Sequence, residues 1–144
     1  MTALAANAPR RSQLNTLGPV KFGLAAVDIF YVGAILMRNA AGKVSPVVAD
    51  DHNNGVCGVC TKYLDNSADV SGAVVEYQEG VFLVSGANLT QAKAGLTIYA
   101  QDDNSVDVTQ LSTTGPVTGI IMDEYISATQ CWARIQKGLV SAAE

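Results

Sequence analysis

From Val20 onward, apolar residues occur in short runs or alternate with polar ones, and clusters of Gly, Asn, Asp and Ser interrupt the runs. Alternation with a period of two fits half-buried strands, whereas a helix would repeat its apolar positions every three or four residues over a longer stretch. The pattern predicts strands at 19–24, 33–39, 43–48, 55–63, 72–78, 80–85, 95–100, 105–110, 117–123 and 130–136. Asn39-Ala40-Ala41-Gly42 and Asp102-Asp103-Asn104 read as hairpin turns, because Asn, Asp and Gly tolerate the left-handed backbone of tight loops. Asn88 to Gly95 carries the only helical signal, so the chain is expected to be all-β with at most one short helix. The strands are expected to close one barrel or sandwich.

Residues 1–17 lack both periodicities, and Pro9 stops any short helix, so they are predicted to form an extended N-terminal arm ahead of a single β-rich domain, 18–144. Two pseudo-repeats emerge when 33–80 is laid on 95–138: Gly33 falls on Gly95, Leu36 on Ile98, Val44 on Val106 and Tyr63 on Tyr125. The ends match with a shorter second loop, Val74-x-Glu76-x-Gln78-x-Gly80 against Trp132-x-Arg134-x-Gln136-x-Gly138. Chance recurrence of Gly-apolar patterns in a β-rich chain is the competing explanation.

At 144 residues the chain suits one core. Only 15% of its residues are charged while 49% are apolar, which leaves little charge to cover a monomer and points to self-association or a permanent partner. A net charge of −4, with nine scattered Lys and Arg, excludes a phosphate-binding surface, so no nucleic acid partner is expected. The longest apolar stretch, Gly23 to Met37, is broken by Asp28 and is too short for a spanning helix, so no membrane association is expected. Met1 to Leu17 has no apolar core of the secretory kind, which places synthesis in a cytoplasm. Three cysteines do not make a disulfide framework there.

The sharpest chemical candidate is Cys57-Gly58-Val59-Cys60 with His52 upstream and Cys131 downstream, four residues that could complete a tetrahedral zinc site or a redox pair. Zinc knuckles present two ligand pairs, however, and Val56 and Val59 make the segment look like a buried strand, so small buried thiols are the favoured reading and no cofactor is expected. A redox pair also needs a helix N-terminus to acidify a thiol, and none follows Cys60. His52 sits in the polar run Asp50 to Asn54 and reads as part of a solvated loop. Asp50, Asp51, Asp102 and Asp103 lack the spacing of a calcium loop and read as turn residues. Glu76 with Glu79, and Asp123 with Glu124, are too close in sequence to suggest a glycosidase pair. With no catalytic constellation, the chain is expected not to be an enzyme. Binding chemistry concentrates in the arm, where Arg10 and Arg11 can pair with carboxylates and Leu14 and Leu17 can fill pockets on a partner.

The order of short β motifs resembles that of the capsid decoration, or cement, proteins of tailed phages. The residues that carry the likeness are Gly33 to Leu36 with Val44 to Val48, Gly55 to Val59, Val74 to Val81, Gly95 to Tyr99, Thr118 to Ile121 and Trp132 to Ile135, all within 20–138. The resemblance implies a small β-barrel or β-tulip-like domain in the virion, on the outer capsid surface, that stabilises the head by bridging major capsid proteins. It implies no catalytic residues, a lashing role for Arg10, Arg11, Leu14 and Leu17, and a homo-oligomer, trimer before dimer. Two other readings stand beside it. One is a small zinc-binding or redox β-barrel using His52, Cys57, Cys60 and Cys131; the other is a minor virion fibre or spike component, which would need an exposed aromatic patch.

Overall fold

The computed structural model describes residues 3–12, 18–48, 55–110 and 118–141. These form an all-β chain of two curled five-stranded sheets. The first contains β1 (Lys21–Leu24), β3 (Ile35–Arg38), β4 (Val44–Pro46), β5 (Val56–Cys60) and β7 (Val74–Gln78) in the order β1-β7-β5-β3-β4. The second contains β8 (Gly80–Ala87), β9 (Tyr99–Ala100), β10 (Ser105–Asp107), β11 (Ile120–Ser127) and β12 (Gln130–Ile135) in the order β11-β12-β8-β10-β9. A separate two-residue pair joins β2 (Ile29–Phe30) to β6 (Leu64–Asp65). The helical signal before Gly95 becomes a single 3-10 turn, Gln91–Lys93.

Each sheet curls until its ends meet. In the first, Val44 bridges in parallel to Ala25, just past β1. In the second, Thr97, ahead of β9, bridges to Ile121 of β11. The predicted hairpin turns sit where Asx chemistry supports them. Asn39 Oδ1 accepts the N–H groups of Ala41 and Lys43 at 3.0 Å, and Gly42 takes the left-handed backbone at φ +80°. Asp102 Oδ1 accepts the Asn104 N–H at 2.8 Å and the Ser105 hydroxyl at 2.9 Å.

The strand registers of the two sheets correspond. Adding 62 to both members of Ile35↔Val59 gives Thr97↔Ile121, and the same shift turns Arg38↔Val44 into Ala100↔Val106. The parallel contact Ala25↔Val44 becomes Gly86↔Val106, with 61 added to the first residue. Cys60↔Tyr77 becomes Met122↔Ala133, with 62 and 56 added. By these pairings the unit begins at β1 and β8, ahead of Gly33 and Gly95. Val75 therefore matches Cys131, two residues away from where the Glu76-to-Arg134 overlay of the sequence would put it.

Two cores result. One, inside the first sheet, gathers Ala25, Phe30, Ala34, Leu36, Val44, Cys57, Cys60, Val75 and Tyr77. The other joins the inner faces of β8 to β12 to the outer residues Ile35, Met37, Val56 and Val59 of β3 and β5. Strands β3 and β5 are thus buried on both faces. A bulge places Cys57 between the pairs Leu36↔Gly58 and Met37↔Val56, so an extra residue on β5 turns toward the same core as Cys60.

Candidate functional site

The arm lies along its own domain. Ala8 N donates to Val32 O at 2.7 Å, Val32 N donates to Asn7 Oδ1 at 2.8 Å, and Ser12 bridges antiparallel to Phe82 of β8. The Arg10 guanidinium enters the gap between the β2–β3 and β9–β10 loops, donating from Nε to Gly33 O at 2.6 Å and from Nη2 to Asn104 O at 3.1 Å. Burial pulls the Arg10 pKa below its ordinary value, with Asp103 and Asp102 acting in the opposite sense. Asp103 is itself buried, which pushes its carboxyl pKa up, while the Leu4 N–H donates to its Oδ1 at 2.9 Å and opposes that push. Asp102 and Asp103 thus serve the turn and the arm. Arg11 is exposed and offers its carbonyl to Leu83 N at 2.9 Å. Of the residues assigned to partner contact, Arg10 spends its donors on the chain's own carbonyls, and Leu14 and Leu17 lie outside the described residues.

Cys57 and Cys60 sit in the first core and Cys131 in the second. All three are free and buried, and among the described residues no three His, Cys, Asp or Glu side chains gather as a metal site. His52, with Asp50 and Asp51, lies outside the described residues. Burial pushes the Cys57 and Cys131 thiols up to about 12 and the Cys60 thiol up to about 11, so without a metal each stays protonated at neutral pH, the reverse of what a nucleophile needs. Their matched positions support a packing role, since Cys60 corresponds to Met122 and Cys131 to Val75.

The carboxylates are used structurally too. Glu79, in the link from β7 to β8, accepts the Lys21 ammonium at 2.5 Å on one oxygen and the Lys137 N–H at 2.6 Å on the other. Glu76 accepts the Thr61 hydroxyl at 3.1 Å, and Asp123 lies 3.8 Å from Arg134.

What the chain does present is an apolar surface on the outer face of β1 and β7. Phe22 pairs with Glu76 and Leu24 with Val74, while Gly23 between them turns inward beside Arg38 and Val44. Phe22 is 63% exposed, Leu24 54%, Val74 48% and the neighbouring Tyr63 46%. Phe22, Lys62, Tyr63, Leu64, Val74 and Glu76 line a shallow hollow of about 140 Å³ there. The Tyr31 ring lies beside that of Tyr63, with centroids 5.9 Å apart and planes tilted by 50°. This surface was hidden in the sequence because alternation assigns residues to two faces without saying which one is covered; Gly23, too small to fill a core alone, was the available clue. Soluble chains seldom leave clustered large apolar side chains bare without a use for them. No protein-family model matches the chain, and no curated protein matches it.

Proposed function

We propose that the chain is a non-enzymatic structural protein of a phage virion, which binds the outer surface of the capsid and stabilises it by bridging major capsid proteins. The observation that carries this reading is the exposed face of Phe22, Leu24, Val74 and Tyr63 on a chain with only 15% charged residues. Such a face gains by burial against protein, roughly 25 cal/mol for each Å² of apolar area removed from water. The mechanism is adhesive. Many copies on one shell add modest contacts into a large total, because each copy ties neighbouring subunits together. The arm extends that grip through Arg11, Leu14 and Leu17, while Arg10 anchors its base to the domain. The placement of Cys57 and Cys60 in one core and Cys131 in the other favours this reading over a zinc or redox protein that uses all three.

The test is binding of the purified chain, with and without residues 1–16, to phage shells stripped of accessory proteins, read as copies per shell. Saturation at a number set by icosahedral symmetry, with weaker binding of the truncated chain, is the expected result. Failure to bind any shell, together with stoichiometric zinc in the purified protein, would overturn it.

A further inference from the structure

The correspondence between the two sheets shows where one of them is incomplete. In the second sheet, β10 covers the outer edge of β8 only along Ser85 to Ala87, and the arm takes over at Phe82 and Leu83. In the first sheet, the edge of β1 is met by β4 only at Ala25 and Ala26, through Val44. Subtracting 61 from Phe82 and Leu83 gives Lys21 and Phe22, and among the described residues no strand lies there.

The hydrogen-bond phase sharpens the point. Ala25 N donates to Ala73 O, toward β7, and Ala26 N donates to Val44 O, on the opposite side. Counting back by twos, Gly23 and Lys21 face β7, and Phe22 turns its N–H and C=O to the open side. The matching Leu83 N–H is satisfied by Arg11 O at 2.9 Å. Even the guanidinium has its counterpart, since Arg10 Nη2 donates to Asn104 O in one half and Arg38 Nη1 to Gly42 O, at 3.0 Å, in the other. The first half has the arginine without the arm.

We propose that this open edge, with the apolar face beside it, docks a second copy of the chain, β1 against β1 in antiparallel about a two-fold axis near Phe22. An exposed edge takes an added strand through main-chain hydrogen bonds, and an edge that pairs with its own copy closes at two subunits. The charges on the surface suit a self-complementary contact: Lys62 and Glu76 line the same hollow, so a two-fold axis brings the cation of one copy toward the anion of the other. The two Phe22 side chains then stand beside each other across the axis, and the outer faces of the two copies join into one apolar surface that stays open to a capsid. This assignment rests on reading the surface as a binding face, and of the two assemblies implied by the family resemblance it takes the dimer rather than the trimer.

Sedimentation of the whole chain up to about 100 µM tests it without any capsid, so failure here and failure to bind shells are separate results. A dimer is expected, and Phe22→Glu should weaken it on the order of thirtyfold or more while Val140→Glu, equally solvent-facing but elsewhere, leaves it intact. Phe22→Cys should form a disulfide-linked dimer on mild oxidation, because the native thiols are buried; this decides the matter should Phe22→Glu fail to fold. A monomer throughout, a trimer, or an oligomer indifferent to Phe22→Glu and without the Phe22→Cys cross-link would overturn the proposal.

Discussion

At Gly33 the backbone adopts φ +94°, and the carbonyl oxygen of Ala8 lies 1.8 Å from where a β-carbon would stand. The arm can lie on the domain only because that carbon is missing. Gly33→Ala is expected to cost about 1–3 kcal/mol in urea unfolding, partly from the strained backbone and partly from lifting the arm. Trypsin should then cleave after Arg10 and Arg11 faster than in the parent chain. The thiols make a similar argument from chemistry. Cys131 occupies in the second core the position that Val75 holds in the first, so Cys131→Val should change stability by less than about 1.5 kcal/mol. Cys131→Ser buries a hydroxyl among apolar neighbours and should cost about 1–3 kcal/mol, measured by the same unfolding curves.

Between elements, the β7–β8 link is held by one carboxylate. Burial pulls the Glu79 pKa up, but the hydrogen bonds from Lys21 and from the Lys137 N–H outweigh it, and the group ends below its ordinary 4.5. A carboxyl whose folded value is depressed supports the fold fully above its unfolded value and loses that support as pH falls through the folded one. Melting temperature should therefore drop as the solution is acidified below about pH 4.5, and Glu79→Gln should flatten that part of the profile. Lys21, raised mainly by its hydrogen bond to Glu79, adds stability that persists through neutral pH and fades only above its ordinary 10.5. The ten strands of the two five-stranded sheets were legible in the runs of the sequence, β9 as the end of the longer run 95–100, and so were both hairpin turns. The pair β2 and β6 was not, because Ile29–Phe30 and Leu64–Asp65 are too short to display a period. Nor was the bulge at Cys57, which depends on a partner strand distant in sequence. That residues 3–12 hold no helix was readable from Pro9 and the lack of period, whereas their route over Gly33 depends on a tertiary fit with no local signature.

In the molecule as a whole, the second core borrows Ile35, Met37, Val56 and Val59 from the first sheet. Neither sheet buries its apolar surface alone, so calorimetry should record one unfolding transition, and two resolved peaks would mean the halves are independent. Met122→Ala, at a fully buried position of the shared core, should cost about 2–5 kcal/mol and move that single transition without splitting it. The same sharing sets a schedule for biosynthesis. A ribosome delivers Ile35 to Val59 early, but the strands that cover their outer faces end only at Ile135. At about 5–20 residues per second, that face waits several seconds in the open for the rest of its chain. A messenger that slows after the codon for Gln78 lengthens this wait and gives nascent neighbours time to stick to one another, so yield of soluble protein should follow translation speed across the second half more closely than across the first.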